Sequence, residues 1–457
     1  MRGAGEILLI ACYEMGHQPL AVAWPTAFLE RAGYAPAVLD LSVEPLDAEK
    51  IGRARLVAIS VPMHTALRLG VRVAARVREL NPGATLVFYG LYAALNADYL
   101  VGKTRAAAVL AGELEAELVE LARRLESPAP AAATSSPRVT AIAKLDFAMP
   151  SRAALPSLKK YAHLDRGGSL QLVAYVEASR GCKHTCRHCP IPPVYDGRFF
   201  VVPLDVVLAD VRQQVAAGAT HVSFGDPDFL NGPGHALAVA RALHAEFPAV
   251  TFDFTAKIEH LLRQRQRLPE LAALGCLFIV SAAESLDDHV LTVLDKGHTG
   301  ADVVTALEIT RTAGITLRPT WVAFTPWTTL DGYRAWLDFI ETADLVDAVD
   351  PVQYGLRLLV PPGSLLLEHP AMRPHLGSLV PDAFYYEWTH PDPRMDALQG
   401  TVSRHVAAAA DRREDAAVTF QAVRALADEA AGCAPRSMPA IPPARRRAPR
   451  LTEPWFC

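Results

Sequence analysis

Cys182, Cys186 and Cys189 follow the spacing Cys-x3-Cys-x2-Cys within Ala178-Ser179-Arg180-Gly181-Cys182-Lys183-His184-Thr185-Cys186-Arg187-His188-Cys189-Pro190, so three of the seven cysteines fall within eight residues. Three thiolates on one short loop can take three corners of a 4Fe–4S cube and leave the fourth iron without a protein ligand. An iron left open in this way can bind a small molecule. A second chemistry is open to the same residues: a structural zinc ion completed by His184 or His188. Structural zinc sites usually split their ligands into two separated pairs, which this run does not do.

The elements around this loop are written as continuous apolar runs that alternate with helical patterns, the signature of α/β folds with parallel sheets buried on both faces. Residues 6–12, 37–41, 56–61, 85–89 and 107–110 read as strands, with helices over 19–32 and 67–80 and a last one ending near Leu125. This first unit, 1–126, is a doubly wound parallel sheet of Rossmann-like type, and such sheets bind ligands at the carboxyl ends of their strands. No Gly-x-Gly-x-x-Gly follows the first strand, which disfavours a dinucleotide site. Residues 127–139 are rich in Pro, Ala and Ser and read as a linker, so 127–168 is linker and lead-in. Six strand–helix units follow from Leu170, with strands at 170–177, 221–225, 251–256, 277–282, 316–324 and 351–358. Polar residues interrupt the apolar pattern at the strand ends: Gly225 and Asp226, Lys257 with Glu259 and His260, Glu284, then Lys296-Gly297-His298, and Arg318. From 361 to 457 the chain reads as a mostly helical C-terminal cap, with a polar loop over 387–396, helices over 402–431 and a flexible tail ending in Cys457.

The cysteine loop, placed after an apolar strand, resembles that of the radical S-adenosylmethionine (SAM) superfamily. The resemblance implies that residues 169–360 form a partial (β/α)6 TIM-type barrel and that Cys182, Cys186 and Cys189 hold a 4Fe–4S cluster. In that family SAM chelates the open iron, and an electron from the cluster cleaves it to a 5'-deoxyadenosyl radical, which abstracts hydrogen in place of any side chain. His188 stands where the family often has an aromatic residue against adenine; an ordinary loop-capping role is the other reading. Gly225 and Asp226 stand where the family has a Gly-Gly-Glu-like stretch for the SAM amino group, with Asp in place of Glu. Glu284, at the end of the fourth strand, corresponds to a SAM ribose or carboxylate contact, and Lys257 and Arg318 complete the candidate SAM set.

The N-terminal unit resembles, in size and position, the cobalamin-binding domain of one large subclass. It lacks the Asp-x-His-x-x-Gly motif that gives a histidine to cobalt, so bound cobalamin is expected to lack a protein imidazole. Met15-Gly16-His17, Pro62-Met63-His64-Thr65 and Gly90-Leu91-Tyr92 are the expected corrin contacts. A Rossmann-like sheet that binds nothing or docks a partner is the alternative.

The leading expectation is cobalamin-dependent methyl transfer to a small-molecule substrate, with a reductase, flavodoxin or ferredoxin as electron donor. A second is cobalamin-independent transfer of a SAM fragment, such as 3-amino-3-carboxypropyl, to a soft-element substrate such as arsenite held by the accessory thiols Cys433 or Cys457. A third is a zinc-stabilised binding protein. The Cys-ending tail resembles those of a group of radical SAM proteins that sometimes carry selenocysteine there, and a chain cut short at such a codon is one reading of it. A formal net charge of −4 argues against nucleic acid. Arg445-Arg446-Arg447 reads as a solvated run. The absence of a signal-peptide pattern or an 18-residue apolar run, together with clustered thiols, points to a cytoplasmic protein away from membranes.

Overall fold

The first strands, Ile7–Ala11 (β1), Ala37–Asp40 (β2), Leu56–Ser60 (β3), Thr85–Tyr89 (β4) and Ala108–Gly112 (β5), are almost wholly buried in the computed structural model, which describes residues 1–126, 137–434, 436, 441, 445 and 447–453. All pair in parallel in the order β2-β1-β3-β4-β5, continued by Arg138–Ala141 (β6). Alternate residues serve two layers. Ile7, Leu9, Leu56 and Ala58 join one apolar cluster, and Leu8, Ile10, Val57 and Ile59 another. The segment read as linker and lead-in therefore supplies a sixth strand, held at the sheet edge by pairing of Val109 to Gly112 with Arg138 to Ala141.

The second sheet has the order β14-β13-β12-β11-β8-β7-β17, built from His163–Arg166 (β7), Ser169–Val176 (β8), His221–Phe224 (β11), Thr251–Thr255 (β12), Cys276–Glu284 (β13), Thr316–Trp321 (β14) and Arg450–Leu451 (β17). A two-stranded ribbon, Ser179–Gly181 (β9) and Phe199–Val201 (β10), and a hairpin, Leu376–Val380 (β15) and Tyr385–Trp388 (β16), complete the strands described. β8, β11, β12, β13 and β14 run parallel and curl into a half-barrel, with β7 and β17 antiparallel at one edge. The sixth position is not the regular strand expected over 351–358: Pro351–Gly355 is a 3-10 turn, followed by a single parallel bridge between Phe324 and Arg357. The reason is local. Pro351 has no amide hydrogen to give a ladder, and the Gln353 side chain accepts from Trp321 N at 3.0 Å, taking the donor a sixth strand would have used.

The sheets share a core. The cluster containing Ile7 and Leu9 runs through Trp24, Phe147 and Leu158 into Ala174, Phe224 and Phe252 of the barrel. Buried Arg152 fastens the junction, pairing with Asp210 at 2.7 Å and donating to Gln18 at 3.0 Å.

In the cap, residues 387–396 are not one loop over the mouth. They divide between β16 and a helix, Pro393–Asp411, that starts nine residues before the expected Val402 because Asp392 caps Arg394 N and Pro393 favours a first turn. A second helix, Ala416–Ala430, packs beside it. Arg445 and Arg447 are not free in solvent: Arg445 pairs with Asp347 and Asp415 at 2.6 Å each, and Arg447 with Asp415 at 2.9 Å. Arg446 and Cys457 lie outside the described residues.

Candidate active site

The three thiols sit on a clamped loop. β8 ends at Val176, and β9 pairs antiparallel with β10, closing the chain around residues 182–198. Gly181 makes this possible. Its φ is +73°, and a Cβ there would stand 2.4 Å from the Arg198 carbonyl and 2.7 Å from the Tyr195 ring. Cys189 N donates to Cys186 O at 3.1 Å, tightening the last turn.

Burial pushes the Cys182 thiol up and the Cys189 thiol up to about 12, and the neighbouring thiols add to both effects. The three sulfurs converge on one side of the loop, and the Cys182 and Cys189 thiolates are costly there. A bound metal cluster reverses that penalty, because coordination removes the proton outright. Two buried polar atoms on or beside the loop, His188 Nδ1 and Asn231 Nδ2, have no partner. Asn231 Oδ1 lies 4.0 Å from Cys182 Sγ.

The SAM candidates divide into two groups. Glu284 is drawn to the loop: it accepts from His188 Nε2 at 3.1 Å and from Lys296 Nζ at 3.2 Å. It ends β13 at a register shift with φ +64°, a left-handed conformation that a side chain adopts only where surrounding contacts enforce it. Burial pushes its carboxyl up, but Lys296 and His188 outweigh burial and hold it well below the usual carboxylate range. Lys257 lies 3.5 Å from Glu259, which in turn lies 3.6 Å from His184 Nδ1.

Asp226 is spent on the backbone. It accepts from Ala178 N at 2.9 Å and from the Ser179 hydroxyl, and burial pushes its carboxyl up to about 7. Gly225 lets Tyr175 close on the strand end, since a Cβ there would meet the phenol oxygen at 2.6 Å. Arg318 pairs with Asp350 at 3.0 Å and donates to Pro449 O at 3.3 Å, at the junction with the chain's C-terminal segment. Cys433 is exposed just after the second cap helix, its thiol near Ala431 O.

The carboxyl ends of the first sheet face the barrel, its cysteine-loop segment and the cap. Burial, and beyond it the Cys189 thiol, hold the Tyr92 phenol above its usual range. After β5, Glu113 accepts from Tyr195 at 3.0 Å, and Arg180 lies 2.7 Å from Glu115 and 3.4 Å from Glu113. After β1, His17 stacks on Tyr175 at 4.2 Å and donates to Glu453 at 2.8 Å. After β3, His64 donates to Ala383 O at 2.7 Å.

Lys296, the Arg180 cluster and the approach of His184 to His260 were absent from the candidate set drawn from sequence. Lys296 and His260 stood among the strand-end polar residues, which was their only signal. Arg180 carried none beyond its place next to Gly181.

Residues 176–325 match the family model of the Radical SAM superfamily. Over 183 residues the chain is 26% identical to hopanoid C-3 methylase of Methylococcus capsulatus, a match covering 40% of this chain and 34% of that protein, so the chain spans about a third of the length of that relative. Its fold is similar to the cobalamin-dependent SAM radical enzyme OxsB, with aqua-cobalamin and SAM bound (TM-score 0.67, 13% identity, 86% of this chain and 66% of that one). It is also similar to the radical SAM methyltransferase TsrM from Kitasatospora setae, with tryptophan and a SAM analogue bound (TM-score 0.65, 17% identity, 87% and 89%).

Proposed function

From a chain whose residues 176–325 form a radical SAM domain behind a Rossmann-like sheet, we propose a radical SAM enzyme that transfers a methyl group to a small-molecule substrate with the help of cobalamin. The observation that carries this reading is the apposition of the two sites: the carboxyl ends of β1, β3 and β5 reach the barrel, its cysteine-loop helix and its cap through His17 on Tyr175, His64 on Ala383 O and Glu113 on Tyr195. In doubly wound sheets those ends are where ligands bind. A cofactor held there would lie between the sheet and the loop.

Cys182, Cys186 and Cys189 would hold the 4Fe–4S cluster, and the unpartnered His188 Nδ1 suits a ligand bound beside it. When bound, the cluster and SAM supply a 5'-deoxyadenosyl radical, and cobalamin supplies a methyl carrier. The chain's own work is positional. Glu284, fixed between His188 and Lys296, orients the imidazole at the third cysteine. Asp226 holds Ala178 and Ser179, and so the strand exit from which the loop departs. His17 and His64 donate through Nε2 to Glu453 and to Ala383 O, which fixes both rings at the strand ends of the first sheet.

The six described cysteines are free, which fits a reducing cytoplasm that also supplies an electron donor. No helix among the described residues is long and apolar enough to cross a membrane.

Anaerobic reconstitution with iron, sulfide and hydroxocobalamin tests the proposal by metal analysis and absorption. About four irons per chain, lost when Cys182, Cys186 and Cys189 are replaced by Ala, with stoichiometric cobalt, is the expected result. Iron without cobalt removes the methyl-transfer reading. Zinc without iron removes the radical reading as well.

A further inference from the structure

We propose that His184 and His260 form a divalent metal site of their own, distinct from the three thiols, which takes an imidazole-binding ion such as Zn2+. This inference goes beyond the methyl-transfer reading and does not depend on it.

The two side chains come from elements 76 residues apart, yet their Nε2 atoms face each other at 3.3 Å. A carboxylate behind one of the rings fixes its tautomer. His260 Nδ1 donates to Asp228 Oδ2 at 2.7 Å, so its proton sits on Nδ1 and its Nε2 presents a lone pair. His184 Nδ1 has Glu259 Oε2 as a neighbour at 3.6 Å, beyond hydrogen-bonding reach, so this carboxylate adds charge behind the ring without fixing its tautomer. At this separation the His184 ring can donate its Nε2–H to the His260 lone pair, and an ion bound to both rings takes the place of that proton.

The spacing suits a metal. Two imidazole nitrogens bound at about 2.0–2.1 Å to one tetrahedral ion stand about 3.3–3.4 Å apart. The backing also suits one, because metal-bound histidines commonly donate their other ring N–H to a carboxylate, which sets the tautomer and raises ligand basicity. Asp228 is itself fixed, accepting from Leu230 N at 3.0 Å, and lies 3.9 Å from His184 Nε2. Its negative charge therefore stands beside the gap. Glu259 is shared with Lys257 at 3.5 Å and Arg263 at 2.6 Å, so the pocket is not an open acidic patch that would draw any cation. Imidazole donors select ions of the zinc, iron and nickel class over magnesium or calcium.

With two protein nitrogens, the ion keeps exchangeable corners. These take water, or an anionic oxygen or sulfur of a substrate, next to the loop that carries Cys182 and Cys186. The site is thus an anchor for an anionic substrate group.

The test uses cluster-loaded protein incubated with one equivalent of Zn2+, passed over a weak chelating resin and counted for zinc and iron together. The expected result is one zinc per chain in the wild type, with retained zinc falling at least tenfold in both His260→Gln and His184→Gln while iron is unchanged. No retained zinc in the wild type, or equal zinc in wild type and both variants, overturns the proposal. If a variant also loses iron, zinc-edge absorption spectroscopy of the wild type decides. Scattering from two imidazoles supports the site, and a sulfur-dominated or oxygen-only shell overturns it.

Discussion

Replacing Arg180 by Met is the most informative single perturbation, because this guanidinium joins the first sheet to the strand that enters the cysteine loop. Its Nη1 lies 2.7 Å from Glu115 and 3.4 Å from Glu113, its Nε donates to Glu177 at 2.8 Å, and its guanidinium carbon stands 4.9 Å from the Trp24 ring and 5.3 Å from that of Phe147. Its side chain is 9% exposed. Removing one member of a buried ion pair costs about 3–5 kcal/mol, and loss of a desolvated cation–π contact adds about 1–2 kcal/mol.

The cost depends on pH with a definite sign. Burial, opposed by Arg180 and reinforced by Glu115 and Glu177, already pushes Glu113 up to about 7. Without the guanidinium, the Glu113 and Glu177 carboxyls rise further and relieve the stranded charge by binding protons. At pH 6 protons are available, and at pH 8 they are scarce. Each pH unit is worth about 1.4 kcal/mol per extra proton taken up, and wild-type Glu113 already takes up its own over half of this range, so the variant's deficit should be about 1–2 kcal/mol larger at pH 8 than at pH 6. Urea unfolding followed by tryptophan fluorescence at the two pH values reads this directly. A loss below about 1 kcal/mol at pH 8, or a larger loss at pH 6, would refute the reasoning, since the lower bound for a stranded buried charge is well above that.

Gly181→Ala should cost at least about 2 kcal/mol, from the positive φ and from a Cβ driven into the Arg198 carbonyl, and should lower iron retained after reconstitution. Glu284→Gln strands buried Lys296 and should destabilise by about 3–5 kcal/mol at neutral pH, read by thermal unfolding; because the folded carboxyl titrates below its unfolded value, the wild-type advantage should shrink as pH falls below about 4. Burial pushes Glu14 up to about 8 and Asp226 up to about 7. Folded protein therefore holds protons that the unfolded chain has already released, and wild-type stability should fall from pH 5 to pH 8; a urea midpoint that rises over that range contradicts the burial of these carboxyls.

Much of the site was legible because it is local. The spacing of Cys182, Cys186 and Cys189 confines three sulfurs to one loop whatever surrounds them. The strands of both sheets were legible because a parallel strand buried on two faces must be apolar throughout, as Ile7–Ala11 and Leu56–Ser60 are. Short edge pairings left no such trace. Arg138–Ala141 and Arg450–Leu451 are strands only because β5 and β7 present free edges to them, and nothing in their own residues demands it. The sixth barrel position failed as a strand through one contact, Gln353 on Trp321 N, that no periodicity encodes.

The same division runs through the chemistry. Residue types and their order along the chain determined that thiols would gather and that polar groups would stand at strand ends. Which of those groups meet was decided by tertiary structure alone, since Glu284 lies 96 residues from His188, and His260 lies 76 from His184. Long-range convergence depends on how strand ends register around the curled sheet and on backbone states such as the left-handed Glu284, and neither leaves a mark on local sequence.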